Sequence, residues 1–163
     1  MAADEWDWKD WGEVDGLVVN GGAGNKSKGI ETNARTIARF GHLMLNRGRW
    51  VQQQVLSAEW VDQATSVQVS VDVPIAYDAL DSVGPGSYGF NWWVNGVKPN
   101  GSRQWPDAPP KTYTALGAHL NFVTVIPEWQ MVIVRLGTTP SVSALNTTLW
   151  NGFLKRVGES LKD

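Results

Sequence analysis

The sequence predicts an α+β fold: helices first, then an antiparallel sheet of about three strands, then a closing helix. Three observations carry this. Apolar residues recur at helical spacing over 32–46, the pattern turns strand-like from Tyr88 onward, and 143–162 returns to helical spacing. At 163 residues, 42% hydrophobic and 18% charged, the chain reads as a single domain, 1–163, with 1–31 a loop-rich lead-in.

Taken in order, Glu5–Gly16 (EWDWKDWGEVDG) is acidic, aromatic and aperiodic, and reads as a packed loop or short turn of helix. Asn20–Gly29 is glycine-rich. It lacks the spacing of a dinucleotide site and any Gly-Lys-Ser/Thr ending, so it is a loop. The first helix spans 32–46, with Thr32 as its cap and Ala34, Ile37, Phe40, Leu43 and Met44 on one stripe. Arg35 and Arg39 fall off that stripe onto a solvated face, and Gly48 closes the helix in a left-handed conformation. A second helix opens at Ser57 and turns Trp60, Val61 and Ala64 inward, and 66–87 is an irregular connection.

Tyr88–Val94 (YGFNWWV) reads as a strand ending at the turn signal Asn95-Gly96. Four prolines make Val97–Lys111 a loop. Asn121–Ile126 and Met131–Leu136 are β-branched runs joined by Pro127-Glu128-Trp129-Gln130, a hairpin with a four-residue connection. Both runs are apolar at nearly every position, which requires cover on both faces of the sheet. From Ser143 to Lys162, Leu145, Leu149, Phe153, Val157 and Leu161 recur at steps of four and suggest the helix face laid on the sheet. The ten tryptophans form no repeat and are read as core and sheet packing, with an aromatic-lined cleft as the alternative.

Composition narrows the function. A net charge of −2, from 14 basic and 16 acidic residues with no basic block, argues against a nucleic-acid partner. No apolar run approaches the ~20 residues of a membrane span, so no membrane partner is expected. Met1–Asp7 is acidic rather than a signal peptide, and the compartment is left open. The absence of cysteine removes disulfides, thiol chemistry and cysteine-bound metal. His42 and His119 lie in different elements with no His-x-x-x-His spacing, so neither a metal site nor a cofactor is expected. There is no Gly-x-Ser-x-Gly elbow for an α/β-hydrolase nucleophile.

Several segments, in order, resemble a known family. "GIETNARTIARFGHLMLNRGRW" with "VLSAEWVDQATS" is similar to the helical segment of serine hydrolases related to class C β-lactamases and penicillin-binding proteins. "YGFNWWVNG" and "PDAPPKTYTALGAHLNFVTVIPEWQMVIVRLG" resemble that family's sheet region, and "DWKDWGEVDG" resembles the tryptophan-rich stretch before it. The resemblance runs from about Asp7 to Asp163 and implies the C-terminal part of the β-lactamase/transpeptidase fold. Family catalysis needs a Ser-x-x-Lys, a Tyr-x-Asn or Ser-x-Asn, and a Lys-Thr-Gly-like strand motif. No serine precedes a lysine by three positions here, and no Tyr or Ser has Asn two residues on. Both motifs lie upstream in the family, so no catalytic residue is assigned.

The third motif is altered. The family turn maps onto Gly117-Ala118-His119-Leu120-Asn121, with His119 and Leu120 where the family has small residues, usually glycines. Such glycines let substrate lie against the strand and let backbone N–H complete an oxyanion hole. Gly117, Ala118, His119 and Asn121 are therefore the candidate substrate-binding residues. Leu120 is expected to crowd the substrate, and His119 either faces a ligand or is a hydrogen-bonded structural residue. Lys111-Thr112-Tyr113 precedes the expected strand and is taken as coincidence. The chain reads as a non-catalytic remnant or binding module. The alternative is part of an ester- or amide-cleaving serine hydrolase whose nucleophile comes from a missing segment or another chain. A small-molecule ligand is expected at the Gly117–Asn121 rim.

In the family, the strand equivalent to Met131–Leu136 pairs with a strand from the N-terminal part. Lacking it, Met131–Leu136 presents an apolar edge with Arg135 as its only charge. The expected partner is a second copy in a two-fold dimer, or the missing N-terminal segment. The competing arrangement folds Asp4–Val19 back across the edge.

Overall fold

The computed structural model describes residues 6–8, 10–20, 30–74, 85–137 and 147–162. In chain order the elements are strands β1 (Trp6–Trp8), β2 (Asp10–Val14), β3 (Leu17–Asn20) and β4 (Ile30–Thr32), then helix α1 (Ala34–Leu45). Two-residue strands β5 (Arg49–Trp50) and β6 (Gln53–Gln54) lead to helix α2 (Ala58–Ala64). Strands β7 (Trp93–Val94), β8 (Tyr113–Leu116), β9 (Phe122–Ile126) and β10 (Met131–Arg135) follow, and helix α3 (Thr147–Ser160) closes the chain. The fold is α+β. The central antiparallel sheet runs β10-β9-β8-β7, one strand more than expected.

Alternation along the strands sorts the core into two halves. Val123 and Val125 of β9 point to one face with Tyr113, Val94, Val132 and Val134, where Met44 of α1 and Val61 and Ala64 of α2 cover them. Ile126 points to the other with Met131 and Ile133, covered by Leu154 and Trp150 of α3. Every residue of β9 is buried, so the predicted two-sided cover is present. The β9–β10 hairpin also forms as predicted. Met131 pairs with Ile126 and Arg135 with Phe122, across a tight turn that Gln130 ends with φ 50°. Gly41 sets the spacing of α1 on the sheet: a Cβ there would stand 2.5 Å from Val132 Cγ1 and 2.8 Å from Val123 Cγ2.

Several local expectations are corrected. In the lead-in over Glu5–Gly16 the described residues are neither loop nor helical turn: β1 pairs with β4, and β2 with β3 across Asp15-Gly16, while of the loop read over Asn20–Gly29 all but Asn20 lies outside the described residues. Both turn residues have positive φ, as a two-residue Asp-Gly hairpin turn requires. The cap of α1 is Asn33, one residue beyond Thr32, whose side chain accepts from the Thr36 N–H at 2.9 Å. Thr32 is instead the last residue of β4. At the other end the N–H of Arg47 donates to Met44 O and that of Gly48 to Leu43 O. Arg47 (φ 51°) thus shares the left-handed ending with Gly48 (φ 81°), and Asp62 holds its guanidinium.

Ser57 caps α2 as expected, accepting from the Trp60 N–H at 3.0 Å. Trp60, however, lies outward, 47% exposed and stacked on Phe90. Tyr88–Val94 is not one strand. It doubles back, with Gly89 N–H donating to Trp92 O, and only Trp93–Val94 joins the sheet. A Cβ at Gly89 would lie 2.3 Å from Ala64 O, so the bend is pressed against the end of α2. Asn95 is no exposed turn residue: it is buried, donates to Trp105 O and Ala108 O, and accepts from the Trp105 N–H. It ties down the proline-rich loop.

The face of α3 is also corrected. Leu154 is fully buried, whereas Leu149, Phe153 and Leu161 are 71%, 44% and 50% exposed. Residues spaced by four advance about 40° per step around a helix of 3.6 residues per turn. Both step-of-four series therefore stay near one face over two steps, and the sheet takes the one displaced by a single position, about 100° round the helix: Trp150, Leu154 and Gly158, the last against Trp129. Leu145 lies outside the described residues, as do 143 and 144, where the helix was expected to begin.

Candidate functional site

Strand β7 pairs only with Tyr113 and Thr114, the first half of β8. Ala115 and Leu116 pair with Val123 and Phe122 of β9 on one side and have no strand neighbour on the other among the described residues. That open edge forms a wall of a cleft of about 720 Å³. Its other walls are β4, Ile37 of α1, Asn91 and the chain just past β10 at Leu136 and Gly137.

Two of the predicted site residues, Gly117 and Asn121, meet at this cleft. The Gly117 N–H donates to Asn121 O at 2.7 Å, and Asn121 Oδ1 accepts from the Gly137 N–H at 2.7 Å. Asn121 thus fastens the ends of β8 and β10 together at the rim. The Gly117 amide is committed to that turn and does not point at a reacting oxygen. A Cβ at Gly117 would meet only Asn121 O, at 3.6 Å, so the space above it is open to an approaching ligand.

His119 is not among the described residues lining the cleft, and the side chain of Ala118 lies outside what is described. His119 is exposed, with φ 57° and ψ 21°, and its ring has no hydrogen-bond partner among the described residues. Leu120 follows with φ 62°. Two consecutive left-handed residues explain in backbone terms why glycines suit this turn. Arg135 braces it, donating from Nη1 to Leu120 O at 2.8 Å and to His119 O at 3.2 Å. Leu120 does not crowd the cleft. It is buried toward the opposite face, beside Phe122, Ile133 and Trp150.

Sequence reasoning missed three contributors. Ile30 and Glu31 sat in the loop-rich lead-in and Thr32 at the presumed helix cap, Asn91 in a presumed strand, and Arg135 was read only as an edge charge. Asn91 carried one usable signal, since asparagine tolerates the left-handed conformation it adopts, φ 60°. The other histidine, His42, is a satisfied surface residue: its Nε2 lies 3.0 Å from Asn46 Nδ2, and its ring meets Trp50 edge-on. Among the described residues no cluster of three or more His, Asp or Glu could hold a metal, and no helix is long and apolar enough to cross a membrane.

Lys111-Thr112-Tyr113 falls at the start of β8, the end remote from Gly117. There the Lys111 N–H donates to Glu128 Oε1 at 2.9 Å. Tyr113 is buried against Trp92, and burial together with Asp62 holds its hydroxyl far above the ordinary tyrosine range. Arg47 and Asp62 form an exposed ion pair, which raises the arginine and lowers the carboxylate.

No protein-family model matches the chain, and no curated protein matches it. Solved structures do. One is a Bacillus anthracis chain named "Putative 6-aminohexanoate-dimer hydrolase", at 22% identity and TM-score 0.53, over 82% of this chain and 31% of that one. Another is a Bacteroides dorei chain named "putative beta-lactamase", at 16% identity and TM-score 0.50, over 78% of this chain and 42% of that one. The present chain spans less than half the length of either. At these identities the likeness concerns architecture alone: the chain has a β-lactamase-like α+β fold.

Proposed function

We propose that this chain is a β-lactamase-related binding module without a serine nucleophile of its own, corresponding to the C-terminal portion of a class C β-lactamase or penicillin-binding-protein-like hydrolase. The observation that carries the reading is the open edge of Ala115–Leu116 above an unobstructed Gly117. An extended ligand can pair with such an edge through main-chain hydrogen bonds, with its side groups in the cleft. Supporting it, the sequence has no Ser-x-x-Lys, and a serine hydroxyl without an adjacent base is a poor nucleophile at neutral pH. The test is turnover of a chromogenic ester and of a penicillin by the purified chain. Hydrolysis that tracks the protein through purification refutes the reading.

A second reading makes the chain one part of a working serine hydrolase. It is favoured by β10, which pairs with β9 alone among the described residues and leaves its outer N–H and C=O groups without a strand partner. Exposed Leu149 and Phe153 flank that side of the sheet. Either a segment bearing the nucleophile or a second copy would satisfy the edge. Two copies pairing antiparallel about Ile133 would set Val132 beside Val134 of the partner, an apolar, self-complementary match. Sedimentation across the micromolar range distinguishes the outcomes: a dimer supports self-pairing, whereas a monomer that gains esterase activity when a Ser-x-x-Lys segment is supplied supports the split enzyme.

A further inference from the structure

We propose that the end of the sheet remote from Gly117 holds a second binding site, for a small organic carboxylate with an apolar body. The antiparallel order places Tyr113, Pro127 and Gln130 at this end, where the C-terminal ends of α1 and α2 border a cavity of about 770 Å³. Its lining divides by chemistry. Met44, Val61 and Val94, all core residues, give an apolar floor. Arg47, Arg103 and Lys111 supply three cations against one carboxylate, Asp62.

That carboxylate is already engaged, since Arg47 donates to both its oxygens. Arg103 is half-buried and uses Nη1 on Asn95 O at 2.7 Å, which fixes the guanidinium and leaves its other N–H groups available. The Lys111 ammonium is exposed and makes no ion pair among the described residues, while its backbone N–H is anchored on Glu128, which does not line the cavity. Tyr113 lines the cavity while only 4% exposed, and its hydroxyl has no hydrogen-bond partner among the described residues. The ring is buried while its hydroxyl oxygen is not sealed from solvent, so the neutral phenol is free to donate to a carboxylate oxygen in the cavity. An anion is thus met by one fixed cation, one mobile cation and one hydroxyl, over a floor that accepts hydrocarbon. A cationic ligand would find only Asp62, already paired. The site does not depend on the reading of the Gly117 cleft.

The probe is 4-phenylbutyrate, with 4-phenylbutan-1-ol and 4-phenylbutylamine as neutral and cationic counterparts, titrated calorimetrically into the full chain. The carboxylate should bind saturably, about tenfold or more tighter than the alcohol, with no binding of the amine. Lys111→Gln, Arg103→Gln and Tyr113→Phe should each weaken it by about threefold to tenfold or more, while His119→Ala leaves it unchanged. Because Arg103 also holds the Asn95 carbonyl, Lys111→Gln, an exposed change, keeps the test if Arg103→Gln fails to fold. Equal affinity for the alcohol, retention of affinity in Lys111→Gln, or no saturable binding of 4-phenylbutyrate at millimolar concentration overturns the proposal.

Discussion

The same substitution, glycine to alanine in a helix, should act with opposite sign at two positions. Gly41 lies inside α1 where an added Cβ would stand 2.5 Å from Val132 Cγ1 and 2.8 Å from Val123 Cγ2. Gly152 lies inside α3 with nothing within 4 Å of its would-be Cβ. Alanine in a helix interior is favoured over glycine by about 1 kcal/mol, and Gly152→Ala should gain that amount. At Gly41 the gain is opposed by overpacking, which costs about 1–3 kcal/mol. The upper end applies, because carbon atoms pack best at about 3.5–4.0 Å and both valines are rotationally stiff on strands held from both faces. The net expectation for Gly41→Ala is a loss of about 2 kcal/mol. With roughly 2–4 °C per kcal/mol for a chain of this size, the two variants should melt about 6–12 °C apart. Thermal and urea unfolding of both, beside the parent, provides the measurement. A Gly41→Ala variant as stable as Gly152→Ala would refute the close contact of α1 with β9 and β10.

Three further outcomes follow from the packing and the strained turn. His119→Gly should raise stability by about 1 kcal/mol, since it relieves a left-handed backbone and removes only an exposed ring, whereas Leu120→Gly should lose stability despite the same φ because its side chain is buried; urea midpoints of both variants give the answer. Leu154→Ala should cost about 2–5 kcal/mol and Leu149→Ala should stay within about 0.5 kcal/mol, and an equal loss at both would restore the Leu149–Phe153 face of α3. Tyr113 ionises only far above the ordinary value of 10.0, so its contribution is complete below pH 10 and is lost as pH rises beyond, when the unfolded chain ionises first; chemical denaturation at pH 9 and pH 11 should show a decline that Tyr113→Phe lessens.

What could be read in advance was the existence and kind of an element that carries its own local signal, though not always the face it buries, as α3 shows. The β9–β10 hairpin follows from two β-branched runs and a Pro-Glu turn, and Ser57 caps α2 as its hydroxyl predicts. Reading failed where a backbone contact with a distant segment decided the conformation. Gly89 bends Tyr88–Val94 because Ala64 O leaves no room for a side chain, a fact held by α2 and not by the segment itself. Strand β8 was hidden for a similar reason. Tyr113–Leu116 has only four residues, and its identity as a strand comes from pairing with β9 on one side and β7 on the other. By contrast, the β2–β3 hairpin carried a readable signal in Asp15-Gly16 that the acidic, tryptophan-rich surroundings obscured.

The candidate cleft was less legible than the fold because most of what defines it is backbone. Four separate stretches build it: 30–32 with 37, then 91, then 115–117 with 121–123, then 136 and 137. Its open edge and its rim bonds from Gly117 and Gly137 to Asn121 involve main-chain groups, which every sequence has in equal number. Resemblance to the family turn pointed to Gly117 and Asn121, which line this cleft, because such a turn requires a particular backbone path that restricts the residues that fit. It misassigned Leu120 for the complementary reason. Counting along a chain gives the position of a residue but not the face to which its side chain turns, and in a left-handed pair that direction departs from strand alternation. Leu120 enters the core beneath α3, His119 faces solvent, and the cleft is left to the flanking backbone. A ligand recognised here would therefore respond more to changes that close the edge at Ala115–Leu116 than to substitution of the His119 ring.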